Sequence, residues 1–247
     1  MERNTFATCA YSATSPETAF DYLCSLENLN EWTLFSRMEE KIDENTWLGT
    51  ASCYQNKLYY HVRKIENQFF RGIEWHCGVE YKKYFQVYPV LLFPPSYIEP
   101  GSNEEGVYFH WVSFVDPARR TGMMEQAMGL VHTSECRSLK GILERNAGHT
   151  SSAQGRYTID SDTIYIDAPI ELGVEYLGDL RNMGDWAHLL RPCGEIDPHS
   201  GTFIDEYGQT VKVTLRTHDL GNYYLIEQEY FYPDYGFYQR SPVLLIP

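Results

Sequence analysis

The chain has 247 residues, of which 43% are apolar and 15% aromatic, enough to bury one large core or two ordinary ones. Its 20 basic and 34 acidic residues give a formal net charge of −14 without a basic block, which argues against nucleic acid and anionic membrane surfaces as partners. No apolar run is long enough for a membrane span, and the N-terminus MERNTFATCAYSA lacks the apolar core of a signal peptide. The six cysteines show no C-x-x-C spacing, which favours reduced thiols and a cytoplasmic location.

The first predicted elements are a short strand over Thr5–Tyr11 and a helix that begins after Ser15. Ser15 is a suitable N-cap, and Pro16 suits the first helical turn. Apolar residues then recur at helical spacing into the phrase LENLNEW, Leu26–Trp32, which continues as a second short helix. We predict that Trp32 faces inward and fixes this helix pair to a sheet.

Strand-forming segments follow one another over the next 80 residues or so. They are separated by turn residues and read TWLGTASCY, LYYHVRKI, FFRGIEWHC, KYFQVYPVLL and GVYFHWVSFV. In the second of them Leu58, Tyr60 and Val62 alternate with His61 and Arg63. The apolar set is predicted to face the core and the polar pair to face outward.

A long helix is predicted from Thr121 to about Ala147, with Gly148 as its C′ residue. One apolar stripe runs along it, formed by Met124, Met128, Val131, Leu139 and Ile142. Glu135 falls in the middle of that stripe, and His132 lies at its edge one turn away.

The chain repeats itself at a shift of about 154 residues. LENLNEW matches LRNMGDW at Leu180–Trp186, and PVLLFP at Pro89–Pro94 matches PVLLIP at Pro242–Pro247. The stretch GHTSSAQG between the halves has the composition of a linker. We therefore predict two copies of one fold, with domains at residues 1–147 and 157–247 and a linker at 148–156.

The second copy is predicted to begin with a strand at Thr163–Ile166 and a helix pair that ends at Trp186. Its strands read GTFIDEY, TVKVTLRT, NYYLIEQEYFY and FYQRSPVLLI. The first copy continues for about 50 residues beyond Pro94, whereas the sequence ends at the matching Pro247. The second copy is therefore predicted to lack the last strand and the long helix.

The order of these elements resembles the START/Bet v 1-like (SRPBCC) superfamily, which has the helix-grip fold, and more loosely its polyketide cyclase and aromatase-like members. The residues that carry the resemblance are SPETAFDYLCSLENLNEW at Ser15–Trp32 and APIELGVEYLGDLRNMGDW at Ala168–Trp186. It implies an α+β fold of two tandem helix-grip units, each a curved antiparallel sheet with helices. In this superfamily a hydrophobic cavity lies between the sheet and the long helix.

Three explanations of the shorter second copy stay open. The chain is a fragment of a longer protein, another chain completes the second unit, or the second unit has lost its cavity and supports the first. A missing helix would leave Val211, Val213 and Leu215 on an uncovered face. Something is then expected to cover them, either the first unit or a second chain in a homodimer.

Four residues are candidates for catalysis, namely Glu135, His132, Glu74 and His76. A carboxylate on the cavity stripe would have a raised pKa and could act as acid or base, with His132 as its partner. Alternatively, Glu135 pairs with a buried arginine or tyrosine, or the stripe is rotated and Glu135 reaches solvent. Glu74 and His76 share one face of a strand, which is either a cavity wall or the polar side of the sheet.

The candidate substrate-binding residues share an apolar or aromatic setting near the predicted cavity. They are Tyr60, Val62, Trp75, His110, Trp111, Met128 and Val131. Alternation puts one of His110 and Trp111 inside, and the tryptophan is favoured as the wall residue. No spaced His/Cys metal motif and no Gly-rich phosphate loop is present, and no cofactor is expected.

The leading hypothesis is a cofactor-independent cyclase, aromatase or dehydratase. It would hold a hydrophobic, polyketide-like substrate in a cavity and act by positioning and acid–base catalysis. The alternatives are a carrier that binds a hydrophobic ligand without turnover and a protein-interaction scaffold with a collapsed cavity. Convergent polar groups in the cavity would favour the enzyme, an apolar cavity the carrier, and a filled one the scaffold.

Overall fold

The structure, a computed structural model, describes residues 5–52, 56–114, 122–150, 155 and 162–247, with only the backbone of 122–128. The chain forms two compact units. Unit 1 comprises Met1–Pro95 and Asn103–Tyr165, and unit 2 comprises Ser96–Ser102 and Ile166–Pro247. Within the described residues, none of the helices combines the length and the apolar character that crossing a bilayer requires.

Unit 1 is an α+β unit built on one large antiparallel sheet. The bounds of its elements are β1 Thr5–Ser12, α1 Pro16–Cys24, a 3₁₀ turn Leu26–Asn28, α2 Leu29–Trp32, β2 Ser36–Lys41, β3 Thr46–Ala51, β4 Leu58–Glu66, β5 Arg71–Gly78, β6 Gln86–Phe93, β7 Val107–Phe114 and α4 Gly122–Asn146. A short helix between β6 and β7, α3 Pro95–Ile98, belongs to unit 2 from Ser96 onward. The sheet order is β1-β7-β6-β5-β4-β3-β2. A large antiparallel sheet with a helix pair after its first strand and a long helix after its last fits the helix-grip fold.

The start of α1 and the role of Trp32 are as the sequence predicts. Ser15 caps α1, its hydroxyl accepting a hydrogen bond from the Thr18 N–H at 3.1 Å, and Pro16 is the first helical residue. Trp32 is 3% exposed, and its ring lies 5.5 Å from that of Trp75 on β5. The helix pair is thus fixed to the inner face of the sheet by an aromatic contact.

The inner face of the sheet alternates as predicted. Leu58, Tyr60 and Val62 of β4 are all buried, whereas His61 and Arg63 between them are partly exposed. Helix α4 adds Leu139 and Leu143 among others to the same core. Burial of each large apolar side chain in this core contributes about 1.5–3 kcal/mol to the free energy of unfolding.

Two polar contacts tie α4 to the beginning of the chain. The Lys140 ammonium donates to the Tyr11 carbonyl at 2.6 Å and forms an ion pair with Glu144. The Glu144 carboxylate also accepts from the Ala13 N–H at 3.4 Å. The long helix is therefore held against the end of β1 by charge-assisted hydrogen bonds as well as by apolar packing.

Unit 2 carries a smaller antiparallel sheet. Its elements are α5 Ile170–Leu177, a 3₁₀ turn Leu180–Asn182, α6 Met183–Trp186, β8 Arg191–Pro192, β9 Ser200–Ile204, β10 Thr210–Asp219, β11 Tyr224–Tyr232 and β12 Phe237–Leu245. The sheet order is β12-β11-β10-β9-β8, so that every strand pairs with its neighbours in sequence.

The strand predicted at Thr163–Ile166 is wrong. The residues there form no strand, and Ile164 is 70% and Tyr165 68% exposed. The matching strand of unit 1, β1, pairs only with β7, the strand that follows β6. No strand among the described residues pairs with residues 163–166, so their backbone groups take part in no ladder.

The expectation of an uncovered sheet face in unit 2 is also wrong. Val211, Val213 and Leu215 are 0%, 1% and 2% exposed in the single chain. They form one cluster with Leu180, Met183, Phe203 and Ile226, and partly buried residues that include Leu177, Trp186 and Leu190 pack against it. The short helices of unit 2 thus take part in a filled core. That the protein forms a homodimer remains a prediction, but the need to cover this sheet face no longer supports it.

The repeated phrase makes the same hydrogen bonds in both units. The Asn28 side-chain amide donates to the Tyr22 carbonyl at 2.7 Å, and the Asn182 amide donates to the Tyr176 carbonyl at 2.9 Å. Each tyrosine hydroxyl donates to a carboxylate nine residues later, Glu31 or Asp185, at 3.0 Å. In both units the asparagine therefore binds a carbonyl in the last turn of the first helix, where the regular intrahelical hydrogen bonds end.

An ion pair on the outer sheet face recurs as well. Arg63 lies opposite Glu74 in the β4–β5 ladder, and their side chains meet at 2.8 Å. Arg216 lies opposite Glu227 in the β10–β11 ladder, with a separation of 3.4 Å. Both glutamates are buried, and a buried carboxylate requires such partners.

Candidate functional site: a cavity in unit 1

A cavity lies in unit 1 against the inner face of the sheet, helix α2 with the loop that follows it, and helix α4. Its empty volume is about 670 Å³, counted with its opening to solvent. The wall is formed by Leu29, Trp32, Thr33, Phe35, Ser36, Ala51, Leu58, Tyr60, Trp75, Cys77, Gln86, Tyr88, Trp111, Val131, His132 and Glu135. This wall is mainly apolar and aromatic, with a few polar groups.

Three tryptophans form one side of the wall. The rings of Trp32 and Trp111 lie 5.3 Å apart, edge to face, and those of Trp75 and Trp111 lie 6.2 Å apart. The Trp75 indole N–H donates to the Leu23 carbonyl at 3.3 Å. The Trp111 indole nitrogen, in a side chain only 4% exposed, has no hydrogen-bond partner among the described residues.

His132 is buried between α4 and strand β7. Its Nε2 shares a short hydrogen bond with the Ser113 hydroxyl, and its ring lies 3.9 Å from that of Trp111. Burial lowers the pKa of His132 to about 4, with a smaller contribution from His110. The imidazole is therefore neutral near pH 7, and its Nδ1 has no protein partner among the residues described.

Glu135 lies one turn further along α4 and also lines the cavity, where its place on the helix stripe predicts it. Its Oε1 accepts from the Leu34 N–H at 2.6 Å and from the Phe35 N–H at 3.4 Å. Burial raises the pKa of this carboxyl group, while the two hydrogen bonds and Arg37 oppose the rise. Glu135 thus binds the loop after α2 to the long helix.

Gln86, at the start of β6, has a fixed orientation. Its Oε1 accepts from the Tyr88 hydroxyl at 2.9 Å and from the Cys77 thiol at 3.3 Å. Since both neighbours are donors, the amide oxygen faces them and the NH₂ group is directed elsewhere. That nitrogen is buried and has no protein partner among the described residues.

The structure brings several predicted site residues together at the cavity. They are Tyr60, Trp75, Trp111, Val131, His132 and Glu135. Val62 lies in the same core but is not part of the wall. The side chain of Met128 lies outside the described residues.

Glu74, His76 and His110 do not line the cavity, because strand alternation places them on the opposite sheet face. Glu74 is held by Arg63 at 2.8 Å and by His76 Nε2 at 2.7 Å. In β5 the side chains that reach the cavity are the intervening Trp75 and Cys77. Glu74 therefore serves a buried ion pair, which is the polar-face alternative left open by the sequence.

The sequence reasoning missed Gln86, Cys77 and Tyr88 as wall residues, and it missed the loop residues Thr33, Phe35 and Ser36. The alternation of side chains in β6 could have identified two of them, because Gln86 and Tyr88 lie on the same face of the strand as the buried Val90. The contribution of the loop depends on how the backbone turns after α2, for which the sequence has no periodic signal.

A large antiparallel sheet with a long helix and a cavity of this composition fits the helix-grip class of α+β proteins. The chain belongs to the family described as Domain of unknown function (DUF8713), whose model matches residues 1–152 and 159–247. No curated protein matches it.

Solved structures are similar to part of the chain. A START superfamily protein from Mycobacterium smegmatis is 11% identical over 57% of this chain and 98% of its own, with a TM-score of 0.39. The AHSA1 protein from Silicibacter pomeroyi is 13% identical over 57% and 99%, with a TM-score of 0.37. Ara h 8.0201 is 12% identical over 59% and 100%, also with a TM-score of 0.37.

Proposed function

We propose that unit 1 binds a mainly apolar small molecule in the cavity between its sheet and α4. The observation that carries this proposal is the wall itself, in which three tryptophans and several aliphatic side chains surround a small number of polar groups. Binding sites for small molecules have this composition. Aromatic side chains bury a large area of an apolar ligand and are themselves held rigid by their mutual contacts.

Binding is favoured over catalysis as the first function because the two acid–base candidates are engaged or poorly matched to neutral pH. One oxygen of Glu135 already accepts two backbone hydrogen bonds. His132, with a pKa of about 4, is a weak base at pH 7. The pKa of His132 therefore lies well below neutral pH, and Glu135 is already engaged by the loop after α2.

Dye binding tests this function directly. Nile red, a neutral and apolar dye, is expected to bind with a blue-shifted emission. Ala51→Leu adds volume to a wall residue that is 6% exposed and should weaken dye binding on the order of tenfold. Binding is measured by fluorescence titration, and urea unfolding shows whether the variant is folded.

Ala147→Leu is the matched control, since Ala147 is exposed beyond the end of α4. This control should bind the dye as the wild-type chain does. The proposal fails if Nile red does not bind. It also fails if a folded Ala51→Leu variant binds as tightly as the control.

A second candidate function is cofactor-independent chemistry of the cyclase or dehydratase type. The observation in its favour is that His132 Nδ1 lies in a buried ring at the cavity wall and has no partner among the described residues. If Nε2–H donates to Ser113, Nδ1 carries a lone pair that can accept a proton from a carbon next to a carbonyl group.

Hydrogen exchange separates this candidate from simple binding. A bound ketone should exchange its α-hydrogens for deuterium in D₂O faster with the protein than without it, as measured by NMR. His132→Gln should abolish the acceleration while Nile red still binds. If the wild-type chain does not accelerate exchange of any ketone that it binds, the cavity acts as a carrier.

We further propose that the two units are tandem copies of one helix-grip fold, with copies at residues 1–147 and 157–247 and a linker at 148–156. The recurring Asn–Tyr hydrogen bonds and Arg–Glu ion pairs support this repeat. The filled core of unit 2 supports a structural role for the second copy.

A further inference from the structure

We infer that the cavity selects a neutral ligand with a carbonyl-type acceptor oxygen, and that the Trp111 indole N–H and the Gln86 amide NH₂ determine this specificity. The inference rests on the proposed binding function and adds the chemical class of the ligand. It comes from two buried hydrogen-bond donors that the protein itself does not satisfy among the described residues.

Both donors belong to side chains that are nine-tenths buried or more. Gln86 is 1% and Trp111 4% exposed, and both line the cavity. Leaving a buried donor without a partner costs about 1–3 kcal/mol, so proteins rarely keep such a group without a use. An acceptor atom on a bound ligand removes that cost.

The orientation of the Gln86 amide is set by its neighbours. The Tyr88 hydroxyl and the Cys77 thiol both donate to Oε1, so Nε2 presents its hydrogens to other groups. An indole nitrogen can only donate. The ligand atoms that meet Gln86 Nε2 and Trp111 Nε1 must therefore be acceptors, which excludes an ammonium group and a plain hydrocarbon as good partners.

The charge of the wall argues for a neutral acceptor. Glu135 contributes a carboxyl group to the cavity, and neither lysine nor arginine is among the described wall residues. A ligand carboxylate would lie near Glu135, and like charges in a buried site repel strongly. Arg37, whose charge acts on Glu135, is not a wall residue and already donates to the Thr33 and Ser36 carbonyls. A ketone, enone or lactone oxygen accepts the same hydrogen bonds without this penalty.

A matched ligand set tests the inference. 2-Acetylnaphthalene and 2-isopropenylnaphthalene have nearly the same shape and differ in C=O against C=CH₂, and 2-naphthoate supplies the anion. Competition with Nile red measures their affinities. The ketone should bind on the order of tenfold more tightly than the hydrocarbon, and naphthoate should bind least.

Two variants assign the specificity to the named residues. Trp111→Phe keeps an aromatic ring and removes the N–H, and Gln86→Met keeps the length of the side chain and removes the NH₂. Each should lower the ketone-to-hydrocarbon affinity ratio several-fold. Trp186→Phe is the control, because it removes an indole N–H of unit 2 that is also buried and without a partner among the described residues. This variant should leave the affinity ratio unchanged.

The possible outcomes separate the two proposals. If neither the dye nor any naphthalene binds, the proposed function itself is wrong. If ketone and hydrocarbon bind equally to the wild-type chain, the function stands and the inference is overturned. The assignment to Trp111 and Gln86 is also overturned if the ratio survives in both variants, or if Trp186→Phe lowers it equally.

Discussion

Trp32→Ala is expected to lower the free energy of unfolding of unit 1 by about 3–5 kcal/mol. Trp32 is 3% exposed, and its ring contacts those of Trp75 and Trp111 at 5.5 and 5.3 Å. Its removal leaves a void between the helix pair and the sheet and breaks two aromatic contacts. Urea unfolding followed by circular dichroism measures the loss, and backbone hydrogen exchange shows which unit opens.

Trp186→Ala is the matched control, because Trp186 occupies the corresponding place in LRNMGDW but is only partly buried. Its loss should be smaller and confined to unit 2. Equal losses of unfolding free energy for the two variants would contradict the prediction that Trp32 stabilises its unit more than Trp186 does. A stable Trp32→Ala variant would show that the tryptophan does not fix the helix pair.

The second large effect is a loss of stability as the pH falls. Between pH 7 and 5, the contribution of His132 to the free energy of unfolding should fall by about 2 kcal/mol. Burial lowers its folded-state pKa to about 4, whereas an unfolded histidine titrates near pH 6.5. Below pH 6.5 the unfolded chain therefore binds a proton that the folded chain does not. The stabilisation is complete above pH 6.5 and is lost as the pH falls toward 4.

His132→Gln should remove this part of the pH dependence, since glutamine does not titrate. His188→Gln, at an exposed position, controls for the loss of an imidazole. Glu135 acts in the opposite direction, because its raised folded-state pKa favours proton uptake by the folded chain. The difference between the wild-type chain and His132→Gln at pH 7 and pH 5, from urea unfolding, isolates the histidine. Parallel curves would contradict the prediction.

Much of unit 1 follows from patterns in the sequence. The capped start of α1 depends on Ser15 and Pro16, which act locally, and the inner face of β4 follows from strict alternation at Leu58, Tyr60 and Val62. Glu135 reaches the cavity because helical periodicity fixes its angle relative to the apolar stripe. Such features depend on one segment at a time.

Other features depend on contacts between distant segments, which periodicity does not encode. The sequence predicts Glu74 as a catalytic candidate. In the structure Glu74 faces away from the cavity and pairs with Arg63, its opposite neighbour in the β4–β5 ladder. The donor role of the Gln86 amide depends on the Tyr88 hydroxyl and the Cys77 thiol, which donate to its oxygen. Residues 163–166 have the composition of a strand but pair with no strand among the described residues.

The pairing of β1 with β7 has a consequence for the order in which the chain can fold. Thr5 lies opposite Phe114, so the first strand has no permanent neighbour until the last strand of unit 1 has been synthesised. At about 5–20 residues per second, this delay amounts to roughly 5–20 s. Unit 2, a sheet of consecutive hairpins, has no such delay. During synthesis, β1 and the growing inner face of the first sheet are therefore the parts of the chain most exposed to aggregation, and they are the places where a chaperone would be needed.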